Sequence, residues 1–266
     1  ELQHKVLREL LDGRLHLSPV IRPARALDVG TGPGSWALVC LSRHPECDVV
    51  GIDIDPVRPP SAVPNCRFLV MDATEDWAFE EKFDFIHVRM VGDLPGKNKL
   101  IQSIFENLNP GGWVEFTEWI VLLQSPDHSF DGSAFHKWNC LLLKGKSGAS
   151  LTRALGLRKL GSSVFYPTEY KALLQKAGFD HVTERKHAAM TNPCYPGKSM
   201  QRLGALMTSN WMGVIEPLSV PVFASLGWSP EKTKSLLVDV RKEISDPRFH
   251  SFMTLMTVYC QKPTEE

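Results

Sequence analysis

This sequence has no surplus of charge of either sign: thirty Lys and Arg balance thirty Asp and Glu. A broad basic footprint, and with it a nucleic-acid partner, is not expected. No apolar run approaches the roughly 20 residues that a membrane helix needs, so no membrane partner is expected either. The opening Glu1-Leu2-Gln3-His4-Lys5 is charged and has none of the apolar core of a secretory leader. The six cysteines include no CxxC pair, which argues against a zinc site or a disulfide framework and suits a reducing compartment. No acidic or histidine cluster suggests a divalent metal, and Lys144-Gly145-Lys146-Ser147-Gly148 lacks the spacing of a phosphate loop. The expected location is cytoplasmic, with the nucleus left open.

What is present centres on Arg25-Ala26-Leu27-Asp28-Val29-Gly30-Thr31-Gly32-Pro33-Gly34-Ser35-Trp36. An apolar strand runs into a glycine-rich turn from which a helix leaves. Such a turn lets the backbone approach a nucleotide-like ligand, because glycine has no Cβ to block it. Asp48-Val49-Val50-Gly51-Ile52-Asp53 reads as the next strand, and a carboxylate at its end suits a ribose diol. The glycine spacing argues against a dinucleotide: the sixth position of the fingerprint is Ser35, and the third glycine falls one residue early, at Gly34. Asp28, at the approach to the turn, suits a cationic ligand better than a diphosphate, which it would repel.

Along the chain, apolar periodicity gives a helix within 1–17, with His4 near its start as either a solvated terminus or part of a lid. Helices are expected over 35–44, 100–108, 135–144 and 168–177, and strands over 66–72, 82–90, 113–118, 182–190 and 252–260. The segment 56–60 is too proline-rich for a helix and reads as a linker. Between 191 and 250 lie helical stretches over 199–215, 217–226 and 230–244. The expected organisation is an N-terminal helix or lid (1–20), an α/β core (21–190 and 251–262) and a helical insertion (191–250) capping an acceptor site. By the rule that ligands lie outside the carboxyl ends of parallel strands, His87, Arg89 and Met90 are placed at the pocket mouth. His87 reads equally as a base or as a structural histidine. Glu118 at the end of the fifth strand is a second acid/base candidate, or a surface glutamate. Of the apolar residues beyond the fifth strand, Trp138, Tyr195, Met207 and Trp211 are candidates to line the acceptor pocket.

Asp28-Val29-Gly30-Thr31-Gly32-Pro33-Gly34 resembles motif I of the class I S-adenosylmethionine (SAM) methyltransferases, and Gly51-Ile52-Asp53-Ile54-Asp55 follows at the right distance. With Gln3-His4, the block Leu10–Pro19, Phe83-Asp84-Phe85-Ile86-His87-Val88-Arg89-Met90 and Leu108-Asn109-Pro110-Gly111-Gly112-Trp113, nearly the whole chain is similar to the fungal LaeA-like branch of that family. Pro33-Gly34-Ser35 departs from that family's usual Thr-Gly-x, and Pro33 has no N–H to offer a ligand.

The resemblance implies a Rossmann-like seven-stranded sheet, mostly parallel with an antiparallel last strand, and SAM as the cofactor. It implies cofactor contacts from Asp28, Gly30, Thr31, Gly32, Gly34, Trp36, Asp53, Ile54, Asp72, Ala73, His87, Val88 and Arg89, with Asp72 reading the adenine amine. Asp72 as a plain turn residue is the alternative. No Asn/Asp-Pro-Pro-Tyr/Phe follows the fourth strand, which argues against N-methylation of DNA bases or glutamine. The expectation is a methyltransferase acting on a small, apolar or aromatic acceptor of secondary metabolism. Two alternatives stand beside it: a SAM-binding regulator working through velvet-type protein partners, and a SAM fold catalysing a non-methylating, for example pericyclic, step.

Overall fold

The computed structural model describes residues 1–57, 63–143 and 163–264. The proline-rich linker expected over 56–60 lies mostly outside them, and the basic loop 144–148 wholly so. The strands are β1 (Arg25–Val29), β2 (Asp48–Asp53), β3 (Cys66–Val70), β4 (Phe83–Arg89), β5 (Leu108–Gln124), β6 (Asp180–Met190) and β7 (Phe252–Gln261). They form one sheet in the order β3-β2-β1-β4-β5-β7-β6. β1 to β5 pair in parallel, and β7 runs antiparallel to both β5 and β6. The strand order reverses between β1 and β4, so the loops leaving these two strands diverge and open a crevice at their carboxyl ends.

Seven helices surround the sheet: α1 (Leu2–Leu10), α2 (Ser35–Arg43), α3 (Lys97–Asn107), α4 (Ala134–Leu143), α5 (Tyr170–Lys176), α6 (Lys198–Ser225) and α7 (Pro230–Ile244) among the described residues. Every residue of β1 is buried, as a central parallel strand covered on both faces must be. Leu27, Val29, Ile86 and Val88 pack on Leu100, Ile101 and Ile104 of α3 and Tyr170 and Leu174 of α5. Ala26 and Phe85 face the other way, onto Trp36, Ala37, Cys40 and Leu41 of α2. A third cluster joins α1, α4, α6 and α7 to Trp119, Leu123, Met253 and Leu255. It sits on the part of the sheet beyond Thr117, the last β5 residue paired with β4, where β5 continues against β7 alone.

Three elements differ from the sequence expectation. α1 is shorter, because Asp12 and Gly13 adopt positive φ (52° and 78°) and the Gly13 N–H turns back to the Arg8 carbonyl, ending the helix. β5 is longer, running through Trp119-Ile120-Val121-Leu122-Leu123, a β-branched and apolar run with no turn residue to stop it. α6 runs unbroken past residue 216, where a break between two helices was expected, and contains both Pro217 and Pro221. Each proline costs the helix a donor, but the same stretch buries Ile215, Ser219, Val222 and Phe223. Ser219 Oγ accepts from Trp138 Nε1 at 2.7 Å, tying the helix to α4 at the site of the expected break.

Candidate active site

The turn after β1 is built from three left-handed glycines, Gly30, Gly32 and Gly34, with φ of 68°, 56° and 76°. Each is there for a different physical reason. A Cβ on Gly30 would sit 2.7 Å from Val91 Cγ1, so glycine lets the loop after β4 close against the loop after β1. A Cβ on Gly34 would sit 2.7 Å from the Phe68 ring. That ring also lies where a Cβ on Gly51 would be, at 2.6 Å, so β3 packs into the space left by both glycines. At Gly32 a Cβ would meet nothing within 4 Å; this glycine borders open space, and its N–H donates to Asp53 Oδ2 at 2.8 Å.

That space is a cavity of about 380 Å³, in the size range of small-molecule sites. Its floor is the glycine turn with Pro33, and one end is formed by Asp53, Ile54, Asp72 and Ala73 from the ends of β2 and β3. Ile54 is 69% exposed despite being apolar, and faces this end. Asp72 accepts from the Thr74 N–H and Oγ1 at 2.8 Å each, bonds that hold its carboxyl below the usual range and keep it anionic.

The other end is cationic. The Arg89 guanidinium faces the cavity with no carboxylate partner among the described residues, and burial lowers its pKa. Its one hydrogen-bond partner is His4 of α1, with Nη1 3.3 Å from His4 Nδ1. Burial first, then the Arg89 and Arg8 charges, bring the His4 pKa down to about 4, so its ring is neutral. Arginine only donates. His4 Nδ1 must therefore be the acceptor, and the proton sits on Nε2, which is buried with no partner. Sequence reasoning did not place His4 among the site residues. The signal was the adjacent pair Gln3-His4: Gln3 binds Trp119 Nε1 (3.2 Å) and Asn210 Oδ1 (2.7 Å), seating α1 across the cavity.

Gly30, Thr31, Gly32, Asp53, Ile54, Asp72, Ala73, Arg89 and Met90 thus share one cavity. Asp28, Gly34, Trp36, His87 and Val88 do not line it. Asp28 is 1% exposed, and both its oxygens are taken, by His87 Nδ1 (2.8 Å) and Thr31 Oγ1 (2.7 Å). His87 is not at the pocket mouth. It lies one β4 alternation below Arg89, stacked on Trp36 at 4.2 Å, and burial lowers its pKa against the pull of Asp28. This geometry matches the structural histidine of the two readings. The Asp28–Thr31 bond makes the pair a brace for the glycine turn from below.

Glu118 is likewise enclosed. It is not at a strand end, because β5 continues past it, and it is 2% exposed. Its Oε1 accepts from the Val91 N–H at 2.9 Å and its Oε2 from Tyr166 OH at 2.5 Å. Burial raises its pKa to about 8 in spite of these donors. The carboxyl acts as a buckle on the loop after β4, where Met90 takes a φ of 54°. Glu115, three residues earlier and on β5's other face, accepts from the Leu17 and Ser18 N–H groups at 2.7 Å each; burial raises its pKa to about 7.

Of the residues expected to line an acceptor pocket, only Met90 reaches the cavity. Trp138, Met207 and Trp211 are at most 2% exposed and form the aromatic centre of the α4–α6–α7 cluster, with Trp138 and Trp211 edge-to-face at 5.5 Å. Large apolar residues at helical spacing filled a core here. Tyr195 is 37% exposed and packs beside His250, away from the cavity.

A family described as a methyltransferase domain matches residues 2–184. Methyltransferase pytC of Aspergillus terreus is 30% identical, over 99% of this chain and 79% of its own. The probable methyltransferase tdiE of Emericella nidulans is 29% identical, over 98% and 80%. The secondary metabolism regulator laeA of Monascus pilosus is 29% identical, over 99% and 70%. Among solved structures, a phosphoethanolamine N-methyltransferase 2 from Haemonchus contortus shares the fold with a TM-score of 0.51, at 15% identity over 98% of this chain and 52% of that one. No helix among the described residues is long and apolar enough to cross a membrane. With the glycine turn, the acid ending β2 and a match across most of its length, this chain belongs to the methyltransferase-domain family, alongside the fungal LaeA-like proteins.

Proposed function

We propose that this protein is a SAM-dependent methyltransferase that binds its cofactor in the 380 Å³ cavity and methylates a small organic acceptor. The observation that carries the reading is the opposite polarity of the two ends of the cavity. Asp53 and Asp72 present carboxylates where a ribose diol and an exocyclic amine would donate, with exposed Ile54 beside them as an apolar surface for a purine. Arg89 at the other end has no anion of its own, and the α-carboxylate of a methionyl group would supply one. Gly32, with no atom where its Cβ would point, leaves the span between the ends clear.

The cofactor, when bound, supplies an electrophilic methyl group on a sulfonium; the contribution of the chain is to position and to exclude water. α1 covers the cavity through His4 and Gln3, and the Asp28–Thr31 and Glu118–Val91 bonds fix the two loops that form its walls. Neither His87 nor Glu118 reaches the cavity. His4 presents an N–H rather than a lone pair. The reading that follows is catalysis by positioning, on an acceptor that does not depend on either residue as its base.

The methyl acceptor is a small molecule or a protein, and the small-molecule choice rests on the likeness to proteins of secondary metabolism, among them the secondary metabolism regulator laeA. The experiment is calorimetric titration of SAM and S-adenosylhomocysteine into the intact chain and into Asp53→Ala, followed by homocysteine-release assays on candidate acceptors. Binding that is lost in Asp53→Ala supports the cavity as the cofactor site. No binding to the intact protein would remove the reading's basis, and turnover on a protein acceptor alone would reassign the substrate class.

A further inference from the structure

Adjoining the cofactor cavity, and sharing His4 with it, lies a second concavity, a groove of about 680 Å³ between α1, α2 and α6. Its wall charges do not cancel. Glu9 is occupied by Arg202, at 2.5 Å in the ion pair, and by Ser199 Oγ at 3.2 Å. Lys5 and Arg8 remain, one helical turn apart in their contributions to α1, and neither has an acidic partner among the described residues. Asp12, exposed and in the turn after α1, is the acid left to set against them. Arg8 is half-buried, and among the described residues its buried Nε has no acceptor; His4, 8% exposed, lines the same groove.

The space between α1 and the sheet, lined by His4, Arg8, His87 and Arg89, is only about 10 Å³, room for a single water. It cannot hold a ligand that would neutralise both arginines from within. Neutralisation of Arg8 has to come from the groove. Val39 of α2 and Leu206 of α6 give that groove apolar surface beside the cations, which favours an organic anion over a small inorganic one.

We propose that the groove between α1, α2 and α6 is a second binding site, for a small organic anion bearing carboxylate, phosphate or sulfonate groups, held by Lys5 and Arg8. His4 is its shared wall with the cofactor cavity, its Nδ1 accepting from Arg89. The assignment does not depend on what fills the cofactor cavity.

The test is fluorescence anisotropy with the aromatic trisulfonate 8-hydroxypyrene-1,3,6-trisulfonate, titrated with the full chain in the presence and absence of saturating S-adenosylhomocysteine. The expected result is one dye per chain, bound in both conditions, and weakened about tenfold or more in Lys5→Glu, the size of one charge-assisted contact. Lys5 is exposed, so that variant leaves the core intact; Arg8→Gln is the second variant and should weaken the dye similarly. Absence of binding overturns the assignment. So does binding indifferent to Lys5→Glu, which would be diffuse surface charge, and so does complete displacement by S-adenosylhomocysteine, which would place the dye on Arg89. If S-adenosylhomocysteine itself fails to bind, the cofactor reading falls, while the response to Lys5→Glu still decides the groove.

Discussion

Replacing Arg89 with Met keeps much of the volume of the side chain and removes its charge, and the structure assigns that change two effects of opposite sign. In the free protein Arg89 is half-buried on the cavity wall; among the described residues its hydrogen-bond partner is a neutral histidine, and the Asp28 carboxylate acts on it from a distance without pairing. Burying a charge without a counter-charge is unfavourable. Arg89→Met should therefore stabilise the free protein slightly, by up to about 1 kcal/mol, or a rise in Tm of roughly 2–4 °C at most. In the complex the same residue would hold the methionyl carboxylate, and a hydrogen bond between charged groups is worth about 1.5–3 kcal/mol. SAM should then bind about 10- to 150-fold more weakly. The control is methylthioadenosine, which has the adenosine and the thioether but no carboxylate, and whose affinity should not fall. Calorimetry with both ligands, beside thermal unfolding of the free proteins, reads all of this in one preparation. Equal weakening of both ligands, or a lower Tm in the free variant, would refute the assignment of the carboxylate to Arg89.

Gly34→Ala should lower stability by about 2 kcal/mol or more, because φ is 76° and the new methyl would lie 2.7 Å from the Phe68 ring; combining it with Phe68→Leu should restore the steric share but not the backbone share, as read by urea midpoints. Glu118, with its folded pKa near 8, and Glu115, near 7, both hold protons that the unfolded chain releases near the ordinary value of 4.5. Stability should therefore fall as pH rises from about 4.5 to 8, by about 1.4 kcal/mol per pH unit per proton at most. Glu118→Gln should flatten that slope in a pH series of thermal melts, leaving the Glu115 share, which is exhausted near pH 7; an unchanged slope would mean that Glu118 is ionised in its buried seat.

The parts of this molecule that were legible in the sequence are those fixed by local patterns. Asp48–Asp53 reads as a strand because a β-branched run ends in an acid, and its bounds agree residue for residue. The three glycines after β1 announced a turn, although Gly34 makes room for Phe68 and does not itself line the cavity. What could not be read is what depends on distant pairs. His4 and Arg89 are 85 residues apart, and nothing local to either marks the contact. Trp138, Met207 and Trp211 have the spacing of a buried helix face, and that spacing is the same whether the face meets a ligand or another helix. Glu118 could have been placed better from the sequence, since the apolar run after it carries no stop signal. His87 could not have been, because its burial is set by Trp36 folding over it from the next helix.

The seat of α1 has a consequence for the way the chain comes together. The helix is synthesised before everything that holds it: Trp119 and Asn210 for Gln3, Arg89 for His4, and Glu115 for the strap at Leu17 and Ser18, 97 residues on from Ser18. During synthesis it has nothing to dock on until α6 has emerged and packed. An amphipathic helix with Val6 and Leu7 on its inner face must wait through that interval with those groups uncovered. The roof of the cavity is in this sense completed only after most of the chain has emerged, so a nascent or truncated chain ending before Asn210 would present an open crevice and a loose apolar helix rather than a site.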